Sequence, residues 1–124
     1  MTLTTLVPNI FYTDIKHGLK LFVECLGFKI DYDDLDSPTP FCVVKKDCIK
    51  IHLVQSEEFA LKDRPEIRIE TDDIDGVYDL VKEKNPELLH PNSKEVTMKP
   101  WKAKEFALLD ESGVCVVIQQ WFID

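Results

Sequence analysis

The residue in this chain best placed by type and setting to do chemistry is Trp101, carried on the stiffened pair Pro100–Trp101 and followed by Lys102 and Lys104. A large ring on a rigid segment beside charges that do not belong in a core reads as a pocket wall. Nucleophilic catalysis finds no support. No Ser/His/Asp or Cys/His set emerges from the spacing, and the four glycines contain no run able to cradle a phosphate. Cys25, Cys42, Cys48 and Cys115 lie in apolar runs without a Cys-x-x-Cys or metal-finger spacing, and are expected as small buried hydrophobes in a reducing compartment.

The elements that must position these groups are repeated. From Phe106 to Leu109, through Asp110-x-x-Gly113, to Val114–Ile118, an apolar run, a turn signal and a second β-branched run predict two antiparallel strands joined by a tight reversal. The same hairpin occurs earlier at a constant shift of 65, with Phe41 on Phe106, Val44 on Leu109, Ile49 on Val114, Ile51 on Val116 and Leu53 on Ile118. Helical stretches precede both copies, and at a shift of 59 Ile15 falls on Ile74, Leu19 on Tyr78 and Phe22 on Val81. An internal duplication therefore organises the chain.

A length of 124 residues suits one domain, here of two half-domains: a module over about 5–55, a linker over about 56–65 and a second module over about 66–122. Leu6 to Tyr12 is predicted as a first strand, with Pro8 tolerable at an edge or in a strand exchanged between subunits. Asp14 caps a helix from Ile15 to Leu26, with apolar positions at Leu19, Phe22, Val23 and Leu26, and Gly27 stops it. Phe28 to Asp33 is a strand, followed by a loop stiffened by Pro38 and Pro40 and then the first hairpin. The polar linker suggests no structure of its own. Ile67 to Thr71 is a strand, Asp73 caps the second helix, Asn85–Pro86 ends it, and a short strand lies near Glu95 to Met98. The formal charge of −8 argues against a nucleic-acid groove. No window approaches the ~20 apolar residues of a membrane span, and a soluble cytoplasmic protein is expected.

The order strand, helix, three strands, given twice, resembles the vicinal-oxygen-chelate superfamily. So do Cys25-Leu-Gly-Phe28 at the first helix end and Pro-Trp-x-x-x-Glu-Phe-Ala-Leu-x-Asp-x-x-Gly-x-Cys-Val from Pro100 to Val116. Within this glyoxalase, bleomycin resistance and dioxygenase group, the likeness is closest to bleomycin resistance proteins and covers nearly the whole chain. The resemblance implies an α+β fold in which paired βαβββ modules form a half-open, eight-stranded mixed-sheet cup with helices outside. The ligand then lies inside, near the interface of a homodimer. The period of two along a strand places Lys50, His52 and Val54 inside on the fourth strand, and Cys115, Val117, Gln119 and Trp121 inside on the last.

Metal-using members hold a divalent ion on four inner strand positions, which fall here on Val7, His52, Glu66 and Val117. Two of these can ligate, short of the three protein ligands usual for a catalytic ion. His52 and Glu66 remain a candidate pair, as an acid/base couple or a fixed cation for a ligand. Trp101 matches the tryptophan that bleomycin resistance proteins set against a planar drug, and Phe41 and Phe11 would extend that wall. Lys102 stands where drug-binding members have glycine, and Arg68 where they carry an aromatic ring, so Arg68 and Lys50 would suit a zwitterionic or anionic molecule better than a cationic drug. The expected function is metal-free binding of a small molecule at Trp101, His52, Glu66, Arg68, Phe41, Phe11 and Lys102. The alternative is a lyase, isomerase or dioxygenase using an ion on His52 and Glu66.

Overall fold

Asp14 and Asp73 open the two principal helices as N-caps, their carboxylates accepting from the backbone N–H of Lys16 at 3.0 Å and of Gly76 at 3.1 Å. In both cases the next residue's N–H is taken by a glutamine from the end of the module's last strand. Gln55 Oε1 accepts from Ile15 N and Gln120 Oε1 from Ile74 N, each at 2.9 Å. The duplication thus extends to the way each helix is started. The computed structural model describes residues 1–2, 4–62 and 66–122, and divides into two compact units, Met1–Asp63 and Arg64–Asp124.

Unit 1 comprises β1 (Asn9–Tyr12), α1 (Ile15–Leu19) continuing as a π-helical segment (Lys20–Cys25), β2 (Lys29–Asp34), β3 (Phe41–Lys46), β4 (Ile49–Gln55) and α2 (Glu57–Lys62). Unit 2 comprises β5 (Glu66–Glu70), α3 (Ile74–Lys84), a 3₁₀ turn (Pro86–Leu88), β6 (Thr97–Met98), β7 (Ala103–Leu109) and β8 (Cys115–Trp121). The sheet orders are β1-β4-β3-β2 and β5-β8-β7-β6, with the first pair of each parallel and the others antiparallel. This is the α+β arrangement of two βαβββ modules that the resemblance implies. Each module has a four-stranded mixed sheet of its own, and neither sheet closes into a barrel.

One face of each sheet takes the apolar side chains. Ile10, Tyr12, Cys42, Val44, Ile51 and Leu53 are buried in unit 1 with Leu21, Phe22 and Cys25 of the helix. In unit 2, Phe106, Leu108, Val116 and Ile118 are buried with Ile74 and Val81, and the Tyr78 ring meets Phe106 edge-on at 5.2 Å. The other faces are left to the candidate site residues. β2, at the open rim of its sheet, is exposed along all six residues.

Several boundaries differ from the sequence reading. The first strand begins at Asn9 rather than Leu6, and Pro8 contributes only its carbonyl, which accepts from His52 N at 3.0 Å. A proline has no N–H to continue the ladder. The last of the short strands shrinks to Thr97–Met98. The first helix widens past Leu19, where Leu26 N donates five residues back to Leu21 O at 3.0 Å and Phe28 N reaches Phe22 O at 2.8 Å. This wider winding buries Leu21 and Cys25 and leaves Leu19 and Val23 half-exposed, so an apolar stripe read at α-helical spacing misplaces them. Gly27 closes the helix at φ +79°, as its stop position requires.

The expected linker is not structureless. Residues 57–62 form α2, started where Ala60 N donates to Ser56 O at 2.9 Å, and the Phe59 ring lies 5.1 Å from Phe11. Its Glu57, Glu58 and Lys62 suit the helix dipole, although in composition they look like linker charges. Positions 63–65 of that expected linker lie outside the described residues. All four cysteines are free thiols, but only Cys25 and Cys42 are buried, and Cys48 is exposed in the β3–β4 turn. Burial, with the nearby charge of Asp33, pushes the Cys42 thiol up to about 11.

Candidate functional site

In unit 2 the side chains on the face of the sheet away from the buried apolar residues converge on one carboxylate. Glu105 of β7 is 4% exposed, and its Oε2 accepts from Trp101 Nε1 at 2.7 Å and from Gln119 Nε2 at 2.8 Å. Its Oε1 is ion-paired with Arg68 Nη1 at 3.2 Å, while Arg68 Nη2 donates to Glu66 Oε1 at 3.0 Å. Burial works to raise the Glu105 pKa. The hydrogen bonds from Trp101, Gln119 and Arg68, with the arginine charge, outweigh it and hold the carboxyl below its ordinary value of 4.5. A buried charge with all these partners is a fixed support.

What Glu105 supports is Trp101. The tryptophan sits in the turn ahead of β7, with its N–H anchored and the residue 48% exposed. Lys102 follows in a left-handed conformation at φ +67°, closing the turn through Lys102 N to Lys99 O at 3.1 Å, and its carbonyl accepts from Phe122 N at 2.9 Å. A positive φ favours glycine, so the residue that the resemblance expects at this position suits the observed backbone better than the lysine present. Cys115 shares this region, and burial followed by the Glu66 charge raises its pKa against the opposing pull of Arg68.

In unit 1 the corresponding face is aromatic. The Phe41 ring of β3 packs edge-on to His52 of β4 at 5.3 Å and lies 5.9 Å from Tyr32 of β2, while Phe11 of β1 rests on Phe59 of α2. Phe41 and Phe11 are both opposite Val54. The structure thus joins Trp101, Arg68 and Glu66 into one network, and joins Phe41 to His52. Glu66 takes Arg68 as its ion-pair partner, and His52 takes Phe41 as its ring neighbour.

Sequence reasoning missed Glu105, the hub of the network, although it stands in the motif Pro-Trp-x-x-x-Glu-Phe. Its position opposite Gln119 on β8 was the available signal, since the alternation places Gln119 on the same face. Tyr32 was missed because a bulge between Ile30 and Tyr32 breaks the simple alternation of β2. Two carboxylates, Glu66 and Glu105, flank the Arg68 guanidinium.

Of the four positions that the resemblance assigns to an ion, only His52 and Glu66 carry side chains able to ligate. Val7 and Val117 offer no lone pair, Glu66 is bound to Arg68, and no group of three His, Cys, Asp or Glu suited to an ion occurs among the described residues.

Comparison of the whole structure with solved ones returns bleomycin-binding and glyoxalase-related proteins. The bleomycin-binding protein of bleomycin-producing Streptomyces verticillus, complexed with copper(II)-bleomycin, superposes with a TM-score of 0.72 and 24% identity over 99% of each chain. The chain has their fold. A bleomycin resistance determinant encoded on the transposon Tn5 gives 0.72 at 17% identity, over 96% of this chain and 98% of that one. A glyoxalase-related enzyme from Clostridium phytofermentans gives 0.72 at 18% identity over 98% of each. No family model matches the sequence, and no curated protein matches it. No helix among the described residues is long and apolar enough to cross a membrane.

Proposed function

We propose that this chain is a metal-free binding protein that sequesters a small, flat or amphipathic molecule without altering it covalently. The ligand would lie in the cup that the resemblance implies, near the interface of a homodimer. One observation carries the reading: Trp101 is a half-exposed ring held in place by a buried, hydrogen-bonded carboxylate. A plate fixed before the ligand arrives loses little freedom on binding, and stacking on it is worth roughly 0.5–1.5 kcal/mol beyond burial. The likeness in fold to a protein complexed with copper(II)-bleomycin supports the same reading.

Two facts speak against the enzymatic alternative at His52 and Glu66. Valines occupy the other two ligand positions, and Arg68 engages the glutamate. The ligand class follows from the charges. The unit 2 face carries Glu66, Glu70 and Glu105 with Arg68, and the unit 1 face carries Lys50 with His52; charge of both signs favours a zwitterionic or anionic molecule over a cationic one. The test is native mass spectrometry of the protein as purified, with calorimetric titration of bleomycin in its metal-free and copper(II) forms. A co-purifying or added ligand bound reversibly, recovered unchanged and released by Trp101→Ala is the expected result. A ligand recovered chemically altered, or a stoichiometric ion lost in His52→Ala, would overturn the reading in favour of the enzyme.

A further inference from the structure

Unit 1 carries a further feature, of which the sequestration reading uses only Lys50 and its neighbour His52. Lys29 of β2 is directly opposite Lys45 of β3, which is directly opposite Lys50 of β4. Strand spacing sets the three stems side by side along about 10 Å. Like charges opposed across strands cost a sheet stability, and none of the three lysines is ion-paired among the described residues. In a chain of net charge −8 such a row is not a by-product of a basic composition.

Two of the three, Lys29 and Lys45, line an open cleft of about 420 Å³ with Gly27, Asp31, Lys46 and Asp47. Lys46 is committed elsewhere, its Nζ donating to Leu26 O at 2.7 Å. A Cβ on Gly27 would lie 3.1 Å from that ammonium, so the glycine keeps the path of Lys46 clear. Asp31 and Asp47 offset part of the charge of the cleft, but neither is ion-paired to the row among the described residues.

We propose that Lys29, Lys45 and Lys50 form an anion subsite that takes the phosphoryl group of a small aromatic phosphate monoester. Neighbouring ammonium groups at one strand spacing can share a doubly charged oxyanion, and lysine binds phosphate as a point charge. The aromatic half follows from register. Two residues along the same face from Lys45 and Lys50 stand Val43 and His52, opposite each other, with the Phe41 ring against His52. About 7 Å separates successive rows on one face of a strand, which suits a phosphate on one row and a ring on the next. The proposal rests on unit 1 alone; it shares Lys50 and His52 with the sequestration reading but not Trp101, so its failure leaves the role of the tryptophan untouched.

The experiment is an NMR titration of the full chain at constant ionic strength with phenyl phosphate, inorganic phosphate and phenol. Saturable shifts at the amides of Lys29, Lys45 and Lys50 are expected, with phenyl phosphate binding more tightly than inorganic phosphate. Lys45→Gln should weaken phenyl phosphate at least about tenfold, the scale of one lost charged hydrogen bond. Because it also removes two like-charge oppositions, this variant should melt no lower than the parent at low salt. Lys84→Gln, on α3, is the control for the general field and should leave the affinity unchanged. Shifts that do not saturate, equal loss in Lys84→Gln, or no loss in Lys45→Gln would overturn the subsite. Equal affinity for the two phosphates would overturn its aromatic half.

Discussion

At the scale of single residues, Glu105 decides more than any candidate named from the sequence. Its carboxylate satisfies the indole N–H, an amide and a guanidinium at once, so removing its charge disturbs three neighbours. Glu105→Gln should cost about 2–3 kcal/mol, in the range of charged hydrogen bonds, measured by urea unfolding at neutral pH. The pH dependence has a definite sign. Because the folded carboxyl is held below 4.5, its contribution is complete above that value and fades as the pH falls through the depressed one. The parent should therefore lose stability in this acid range more steeply than Glu105→Gln, and parallel curves would show that the carboxylate is not stabilised by its partners. Lys102 gives a second test. With φ at +67°, Lys102→Gly should be neutral or stabilising by up to about 1 kcal/mol in thermal melts, since it relieves a left-handed side-chain residue.

At the scale of elements, the helix starts show how strands and helices hold one another. Gln55 ends β4, Gln120 is the last but one residue of β8, and each supplies the oxygen that receives the first helical N–H. Replacing either with alanine should cost about 1 kcal/mol, a typical cap, and the two losses should be similar because the geometry is the same. Gly18 in α1 tests packing against propensity. Alanine is favoured over glycine in a helix by about 1 kcal/mol, but an added Cβ would sit 2.5 Å from Tyr12 Cε2, inside a buried ring's envelope. Overpacking of that kind costs about 1–3 kcal/mol, so Gly18→Ala should lower the melting temperature. A higher melting temperature would mean that the Tyr12 ring can move aside.

Legibility followed the same divide. The strand periods, the caps at Asp14 and Asp73 and the Asp110–Gly113 turn were readable because each depends on a few neighbouring residues. Asp110 Oδ1 indeed accepts from Ser112 N at 2.9 Å and Val114 N at 3.0 Å, with Gly113 at φ +83°. The π-helical segment and α2 were not readable, because winding and docking there depend on contacts distant in sequence, such as Phe11 with Phe59. The same holds within the site. Trp101 stood out by its own chemistry, whereas the role of Glu105 appears only when β7, β8 and β5 lie side by side.

At the scale of the whole molecule, duplication produced two modules of one plan and opposite surface character. Unit 1 offers rings and lysines, and unit 2 offers carboxylates around an anchored tryptophan. If the protein is the homodimer we propose, light scattering will give twice the 14.4 kDa of one chain, and a value of one chain would refute it. The exposed rim strand β2 has its own bearing on assembly. A bare strand edge invites pairing with any passing strand, but this one carries Lys29, Asp31, Asp33 and Asp34 along its length. Such charges act as a fence that keeps neighbouring molecules from zipping together into fibres. Thinning it, with Asp31, Asp33 and Asp34 all changed to threonine, should leave the fold of each chain intact yet turn a clear concentrated solution cloudy.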